Sequence, residues 1–423
     1  MSIDVLDRLR AADPAAGMRE PDEDDRERLR RAIVATPLPP KPAPWWRRLR
    51  GRSLVALVAG AVLLGGGTVY AGVYVADVLI GPQPDQVVWQ FKTGGPVRSS
   101  VTVAEGVVYV GSDDGNLYAL DSRSGQPRWT FKTGGPVHSS AAAAGEMVYC
   151  RSDDGYLYAL DSRDGQQRWR SKVGGPAASP PAISGGMVYV ATSTGQGRGD
   201  VYLQALDGRS GRERWKTVTG GGLNFTSPAA SGGVVYSPAA SGGVVYFGIT
   251  AFDGKTGQKK WTFKAYHRPA YPNPTPVISH GLVYFGVEGW IGGMRAADAQ
   301  SGREEWSFDA GWTSAAVSGG VVYCNGAGSS AMSHSNRPVF RLHALDARSG
   351  EELWASDGSD EGSVAASGDL VCFTDERTLY AVDAGTGHDL WQYETGGPIG
   401  SAPAISDGVV YVGSDDGYLY AVK

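Results

Sequence analysis

The fold is decided by residues 107–129, which read VVYVGSDDGNLYALDSRSGQPRW. Residues 107–111 form a β-branched and aromatic run that is typical of a strand, and residues 116–121 continue with alternating apolar positions. Asp114 and Gly115, which lie between the two runs, tolerate positive φ and are typical of a hairpin turn. A short alternating run precedes residues 107–129, and the last residues of that stretch form a fourth run with the pattern of a strand. One unit of four strands is therefore predicted.

The second half of this stretch recurs along the chain. It fits the frame Ala-x-Asp-x-x-x-Gly-x-x-x-Trp, which begins first at Ala119. The seven copies contain the aspartates Asp121, Asp161, Asp207, Asp253, Asp298, Asp346 and Asp383, and the tryptophans Trp129, Trp169, Trp215, Trp261, Trp306, Trp354 and Trp391. Trp89 precedes the first frame tryptophan by 40 residues. Four strands repeated at this period predict an all-β fold, an eight-bladed β-propeller.

The two ends of the repeat region complement each other. The last repeat stops at Lys423 before a fourth strand, whereas residues 85–91 form a strand that belongs to no repeat of its own. Pairing the two would close the ring and leave no open sheet edge. We therefore expect the N-terminal strand to close the propeller, and truncation beyond Lys92 to destabilise the whole ring.

The region before the propeller has two parts. Residues 1–52 are polar and mixed in charge, which predicts a disordered tail. The 24 residues 53–76 carry no charge, which predicts a transmembrane helix over 53–80 and the propeller over 81–423. Basic residues, among them Arg47 and Arg48, precede the apolar segment, so we expect a single-pass plasma-membrane protein with a cytoplasmic N-terminus and an extracytoplasmic propeller. A cleaved signal peptide is the alternative.

Composition and motifs exclude several classes of protein. The net charge of −5 and the pI near 5.7 argue against a nucleic-acid partner. The three cysteines, Cys150, Cys324 and Cys372, form no C-x-x-C pair, and the histidines show no metal-binding spacing. The Asp-Asp-Gly triplets offer too few oxygen ligands for calcium and suit hairpin turns. We therefore predict no metal site, and the chain lacks the motifs of hydrolytic enzymes.

The frame, together with the preceding VVYVGSDDGNLYALD, resembles the tryptophan-docking repeat of quinoprotein-like β-propellers. This family includes dehydrogenases that depend on pyrroloquinoline quinone (PQQ), BamB-type assembly lipoproteins and sensor propellers linked to kinases. The resemblance implies that each tryptophan packs on the neighbouring blade and that the frame aspartate and glycine shape a turn. PQQ dehydrogenases typically carry a vicinal cysteine pair, which this chain lacks, so no cofactor is expected.

The function predicted from these features is a membrane-anchored, non-catalytic binding scaffold or sensor for a protein, peptide or cell-envelope ligand. A PQQ-dependent oxidoreductase is the alternative. Loop length varies mainly on one face, at residues 192–200, 265–273, 288–294 and 326–338, which favours that face for recognition.

One position at the start of the innermost strands carries unusually diverse side chains. This position lies eleven residues before the tyrosine of the second strand, or before the residue that replaces that tyrosine. Two of its occupants are the small residues Ala178 and Gly400. Its other occupants are Arg98, His138, Phe225, Asn273, Trp312 and Glu361. We expect a ligand-binding ring around the mouth of the central channel, the alternative being a solvated rim without a ligand. If the chain were a quinoprotein, the same ring without Phe225 would line the quinone.

Blade four contains a tandem duplication. Residues 227–236 and 237–246 both read SPAASGGVVY. Removing one copy would leave a spacing of 36 residues between tryptophans, so the second copy is expected to supply a hairpin and a third strand.

Overall fold

The chain divides into two compact units, Met1–Leu79 and Ile80–Lys423. The computed structural model describes the backbone of residues 57–64 and 68–75 in the first unit. In the second unit it describes residues 86–175, 180–193, 200–221, 229–231, 234–236, 239–241, 244–247, 250–263, 276–287, 293–309, 314–332, 338–358 and 362–423. The predicted tail, residues 1–52, lies outside these ranges.

The described part of the first unit is a pair of antiparallel strands, β1 (Leu57–Leu64) and β2 (Thr68–Val75), which pair along their full length. The predicted transmembrane helix over 53–80 is therefore wrong. No helix in the described residues is long and apolar enough to cross a membrane. The described residues 57–64 and 68–75 are rich in valine, a composition that favours strands over a helix.

The predicted single-pass location in the plasma membrane, with a cytoplasmic N-terminus, depended on that helix and is wrong with it. The structure does not show the membrane as a partner.

The second unit consists of short strands. The first is β3 (Val87–Lys92). The strands of the first three repeats are β4 (Thr102–Ala104), β5 (Val107–Gly111), β6 (Asn116–Asp121), β7 (Pro127–Lys132), β8 (Ala142–Ala144), β9 (Met147–Arg151), β10 (Tyr156–Asp161), β11 (Gln167–Lys172), β12 (Ala182–Ser184), β13 (Met187–Ser193), β14 (Asp200–Asp207) and β15 (Glu213–Gly221). The duplicated segment and the rest of its repeat form β16 (Ala229–Ser231), β17 (Val234–Tyr236), β18 (Ala239–Ser241), β19 (Val244–Phe247), β20 (Thr250–Asp253) and β21 (Lys259–Thr262). The remaining strands are β22 (Val277–Ser279), β23 (Leu282–Val287), β24 (Gly293–Asp298), β25 (Glu304–Phe308), β26 (Ala315–Ser318), β27 (Val321–Met332), β28 (Pro338–Asp346), β29 (Glu352–Asp357), β30 (Val364–Ser367), β31 (Leu370–Asp375), β32 (Thr378–Asp383), β33 (Asp389–Glu394), β34 (Ala404–Ser406), β35 (Val409–Gly413) and β36 (Tyr418–Val422).

These strands form a propeller. Six four-stranded sheets are consecutive antiparallel meanders: β4–β7, β8–β11, β12–β15, β18–β21, β22–β25 and β26–β29. A seventh has the order β3-β36-β35-β34, and one sheet has six strands in the order β17-β16-β30-β31-β32-β33. The innermost strands contact one another in the order β4, β8, β12, β18, β22, β26, β30, β34, and β34 contacts β4 again.

The prediction of an eight-bladed propeller is wrong. Seven sheets are four-stranded blades, whereas the remaining sheet of the ring is widened to six strands by the hairpin β16–β17, which comes from the first copy of the duplicated decapeptide. The second copy supplies β18 and β19, the first and second strands of its blade, and not the hairpin and third strand expected from spacing.

The first and last strands of the second unit share a sheet. β3 pairs antiparallel to β36, with Trp89 opposite Ala421 and Lys92 opposite Tyr418. The ring is thus joined by main-chain hydrogen bonds between segments more than 300 residues apart.

Seven of the eight repeat tryptophans donate a hydrogen bond to the next blade. The indole N–H of Trp89 donates to the carbonyl of Ser122 at 2.9 Å, and the hydroxyl of Tyr411 donates to the same carbonyl at 3.1 Å. A Cβ added at Gly125, where φ is +68°, would lie 2.5 Å from the Trp89 ring. Six further tryptophans, Trp129, Trp169, Trp215, Trp261, Trp306 and Trp354, donate in the same way and cover a frame glycine. This position therefore requires glycine.

The frame aspartate organises the turn beside that contact. Oδ1 of Asp121 accepts from the backbone N–H of Arg123 and from the N–H and hydroxyl of Ser124, while Oδ2 accepts from Arg128 at 2.7 Å. The Arg128 and Ser124 bonds lower the pKa of Asp121 to about 2.

Candidate functional site

The candidate site lies at the mouth of the central channel, on the face that carries the turns between second and third strands and the loops between blades. We call this the mouth face. It includes three turns of sequence SDDG, 112–115, 152–155 and 414–417, which lie in three adjacent blades.

The loops between these blades hold the turns in place. The hydroxyl of Thr93 donates to the carbonyl of Gly417 at 2.9 Å, and the N–H of Gly94 donates to Oδ2 of Asp114 at 2.7 Å. A Cβ at Gly95 would lie 2.9 Å from the backbone nitrogen of Asp114. The loop and the turn are therefore in close backbone contact, which gives the side chains of the mouth a rigid support.

The second aspartate of each triplet is a turn residue. Asp114 accepts from the N–H of Asn116 at 2.8 Å and from the hydroxyl of Tyr118 at 2.6 Å, and Asp154 and Asp416 make equivalent contacts. Partial burial opposes ionisation of Asp114, but the bonds from Tyr118 and the backbone outweigh it and lower the pKa. Burial and the Asp114 bond raise the pKa of Tyr118 to about 12.

The first aspartate of each triplet has a different role. Arg98 donates through Nε and Nη2 to the two carboxylate oxygens of Asp415, at 3.0 and 3.2 Å, and through Nη1 to Oδ2 of Asp113 at 2.9 Å. The hydrogen bond to Asp415 is the main reason that the pKa of Arg98 is raised. One guanidinium thus connects the last blade of the ring to the first.

His138 continues this series into the next blade. Its Nε2 lies 2.8 Å from Oδ1 of Asp113, and its Nδ1 lies 2.8 Å from Oδ2 of Asp153. The ring therefore lies between two carboxylates that belong to adjacent blades. We call the five side chains Asp415, Arg98, Asp113, His138 and Asp153 the ionic chain.

The ionic chain is accessible and its surroundings are acidic. The side chain of Arg98 is 49% exposed and that of His138 36%, whereas Asp113 is 18% exposed. Lys92 donates to the carbonyl of Asp416 and Lys132 to that of Asp114. The three turns carry six carboxylates, against Arg98, these two lysines and the buried Arg151, which interacts with Asp153, so negative charge exceeds positive charge by two before His138 is counted.

The structure brings together two of the predicted ring residues. Arg98 and His138 both bind Asp113, and Gly400 lies beside them, where a Cβ would be 3.6 Å from Cγ of Arg98. The other predicted ring residues, Phe225, Asn273, Trp312 and Glu361, lie outside the described residues, as does Ala178. Most of the variable loops also lie there.

Sequence reasoning missed Asp113, Asp153 and Asp415. It assigned each Asp-Asp-Gly triplet wholly to its turn, but the turn uses only the second aspartate. The signal that could have identified these three residues is that two adjacent aspartates recur in each triplet although the turn needs only one.

The described residues do not fit a site for PQQ with a metal. None of their His, Cys, Asp and Glu side chains form a group of three or more that could hold a metal ion. Cys150, Cys324 and Cys372 are buried in three different blades, so no two can form a vicinal pair. Burial raises the pKa of Cys150 and of Cys324 to about 12.

Comparisons with known proteins agree with this architecture. A family model described as "Outer membrane protein assembly factor BamB" matches residues 74–195, 135–247, 175–310 and 340–423. No curated protein sequence matches the chain. Among solved structures, BamB from Moraxella catarrhalis is similar, with a TM-score of 0.60 and 18% identity over 80% of this chain and 97% of that one.

Two other solved structures have comparable similarity. A quinohemoprotein alcohol dehydrogenase from Comamonas testosteroni has a TM-score of 0.59 and 15% identity, covering 79% of this chain and 76% of that one. The computationally designed protein Ika8 has a TM-score of 0.61 and 14% identity, covering 80% and 99%. At these identities the likeness shows the fold, and the predicted resemblance to quinoprotein-like propellers is confirmed.

Proposed function

We propose that this chain, which belongs to the family described as outer membrane protein assembly factor BamB, is a non-catalytic scaffold that binds a protein or peptide with basic side chains. The ionic chain on the mouth face is the observation that carries the proposal. The family description concerns the assembly of proteins, which supports a protein as the partner. As an assembly factor or as a sensor, the chain would use the same binding step.

The geometry favours a cationic partner. Asp153 and Asp415 end the ionic chain at carboxylates, and the three turns carry an excess of negative charge. A lysine or arginine side chain gains most from such a surface, and charge complementarity accelerates encounter as well as selecting partners. The rigid support of the turns means that little ordering is needed when a partner binds.

The described mouth residues favour binding over catalysis. Both nitrogens of His138 lie 2.8 Å from carboxylate oxygens, so the ring is held between Asp113 and Asp153. The nearby hydroxyls of Ser99 and Thr93 donate to backbone carbonyls of Gly111 and Gly417. These groups are engaged in holding the mouth together.

The test is a titration of the full chain into a fluorescein-labelled octapeptide of alternating lysine and alanine, followed by fluorescence anisotropy. We expect saturable binding at low ionic strength, at least tenfold weaker at 300 mM salt because the contacts are screened. The triple variant Asp113→Asn, Asp153→Asn, Asp415→Asn should lose this binding.

A matched variant controls for net charge. Glu146→Gln, Glu213→Gln, Glu304→Gln removes the same number of exposed charges from the opposite face, and it should bind the peptide nearly as well as the native chain. Equal loss in the two triple variants, both with a cooperative melting curve, would show that only overall charge matters and would overturn the proposal. The alternating glutamate–alanine peptide should not bind either protein.

A further inference from the structure

The hairpin β16–β17 occupies an unusual place in the ring. β16 pairs in parallel with β30, with Ala230 opposite Ala365 and Ser231 opposite Ala366. β30 is an innermost strand, and among the described innermost strands it is the one with a strand on both sides. β16 also lies against β26, and β17 approaches β4. The hairpin therefore lies within the central channel, on the inner edge of the six-stranded sheet.

The hairpin duplicates a segment that the ring already contains. Its sequence, residues 227–236, is identical to that of residues 237–246, which form β18 and most of β19 in their own blade. The first copy is therefore surplus to the blade and has the sequence of an innermost strand and its neighbour.

Sequence spacing shows that the first copy fits the blade at least as well as the second. In four regular blades the innermost strand begins 13 residues after the preceding repeat tryptophan. After Trp215 the first copy's strand begins 14 residues later and the second copy's 24 residues later. A chain with one copy would thus keep a complete blade, and nothing would remain to cover β30.

We propose that the inner edge of β30 is a binding site for an extended peptide of small residues, and that the first decapeptide copy is its built-in, displaceable occupant. Parallel pairing uses the backbone N–H and C=O groups of β30, so it takes any extended segment that fits the channel. Ala365 and Ala366 are small and buried, which suits the close approach of another strand of alanine and serine. The site is separate from the ionic chain and does not depend on it.

The test uses a single-copy variant that lacks residues 227–236. Deleting either copy produces the same chain, so the product is unambiguous. We expect this variant to melt cooperatively and to bind a fluorescein-labelled peptide SPAASGGVVY, measured by anisotropy. The full chain should bind the peptide at least tenfold more weakly, because its own first copy occupies the edge.

A prolyl peptide, SPPPSGGVVY, is the control. Proline has no backbone N–H and does not add to a strand edge, so this peptide should not bind the single-copy variant. Three results would overturn the proposal: a cooperatively melting variant that binds neither peptide, equal binding of the two peptides, or equal binding by the full chain and the variant. Loss of cooperative melting on deletion would also overturn it, because the first copy would then be a required part of the ring.

Discussion

Replacing a frame glycine by alanine tests how the blades are held together. In Gly165→Ala the new Cβ would lie 2.6 Å from Cδ2 and Cε3 of Trp129, closer than real Cβ contacts, and φ is +71°. Left-handed backbone costs an alanine about 1–2 kcal/mol. Overpacking against the tryptophan adds about 1–3 kcal/mol. We expect a loss in the free energy of unfolding of about 2–5 kcal/mol.

Two comparisons separate the two costs. Gly185 has φ +57° with nothing within 4 Å of an added Cβ, so Gly185→Ala should lose only the backbone part, about 1–2 kcal/mol. Trp129→Ala should itself cost about 3–5 kcal/mol. In that background Gly165→Ala should lose no more than Gly185→Ala does, because the clash is gone.

The assay is urea unfolding followed by circular dichroism, with the slope checked for each variant. If Gly165→Ala and Gly185→Ala were equally destabilising in the native background, the tryptophan contact would carry no part of the cost. The account of blade docking would then be refuted.

Three further predictions concern the frame aspartate, the buried cysteines and the strand that closes the ring. The pKa of Asp121, about 2, lies below the ordinary 3.8, so the stability that this carboxylate gives the folded chain is complete above about pH 4 and is lost as the pH falls towards 2. Asp121→Asn should therefore reduce the fall in melting temperature between pH 4 and pH 2. An unchanged slope would contradict this. The three buried cysteines, Cys150, Cys324 and Cys372, should not react with Ellman's reagent at pH 8 until the chain is unfolded; rapid labelling of the native chain would show that they are accessible. Truncation to begin at Gln86 should leave the melting temperature of the propeller unchanged, whereas truncation past Lys92 removes the partner of β36 and should lower it strongly; equal melting temperatures would disprove ring closure by β3.

The strands were predictable because each repeat has the same local chemistry. Runs such as 107–111 have strand composition, and Asp114 with Gly115 has turn composition, so neighbouring residues alone define the pattern. The tryptophan-docking resemblance is confirmed by the family match over most of the propeller. The contact of Trp89 with Gly125 then explains why both residue types recur.

Other features depend on contacts between distant parts of the chain. The uncharged residues 53–76 are long enough for a membrane helix, but the segment forms the strands β1 and β2. The prediction relied on hydropathy and length and gave too little weight to the strand propensity of valine. The second copy of the duplicated decapeptide was predicted to supply a hairpin and a third strand, because nothing local shows that a free edge exists at β30. The ionic chain joins Asp415 to Arg98 across the closure of the ring, a pairing that sequence separation conceals.

The central claim is that the mouth face binds a basic partner without a cofactor, and a melting curve of the full chain tests it most directly. A ligand that binds only the folded state raises the midpoint with its concentration. We predict a saturable rise with the lysine–alanine octapeptide, abolished by Asp113→Asn, Asp153→Asn, Asp415→Asn, and no shift with PQQ and calcium. A saturable rise with PQQ and calcium, together with no response to the peptide, would contradict the account and identify the chain as a quinoprotein.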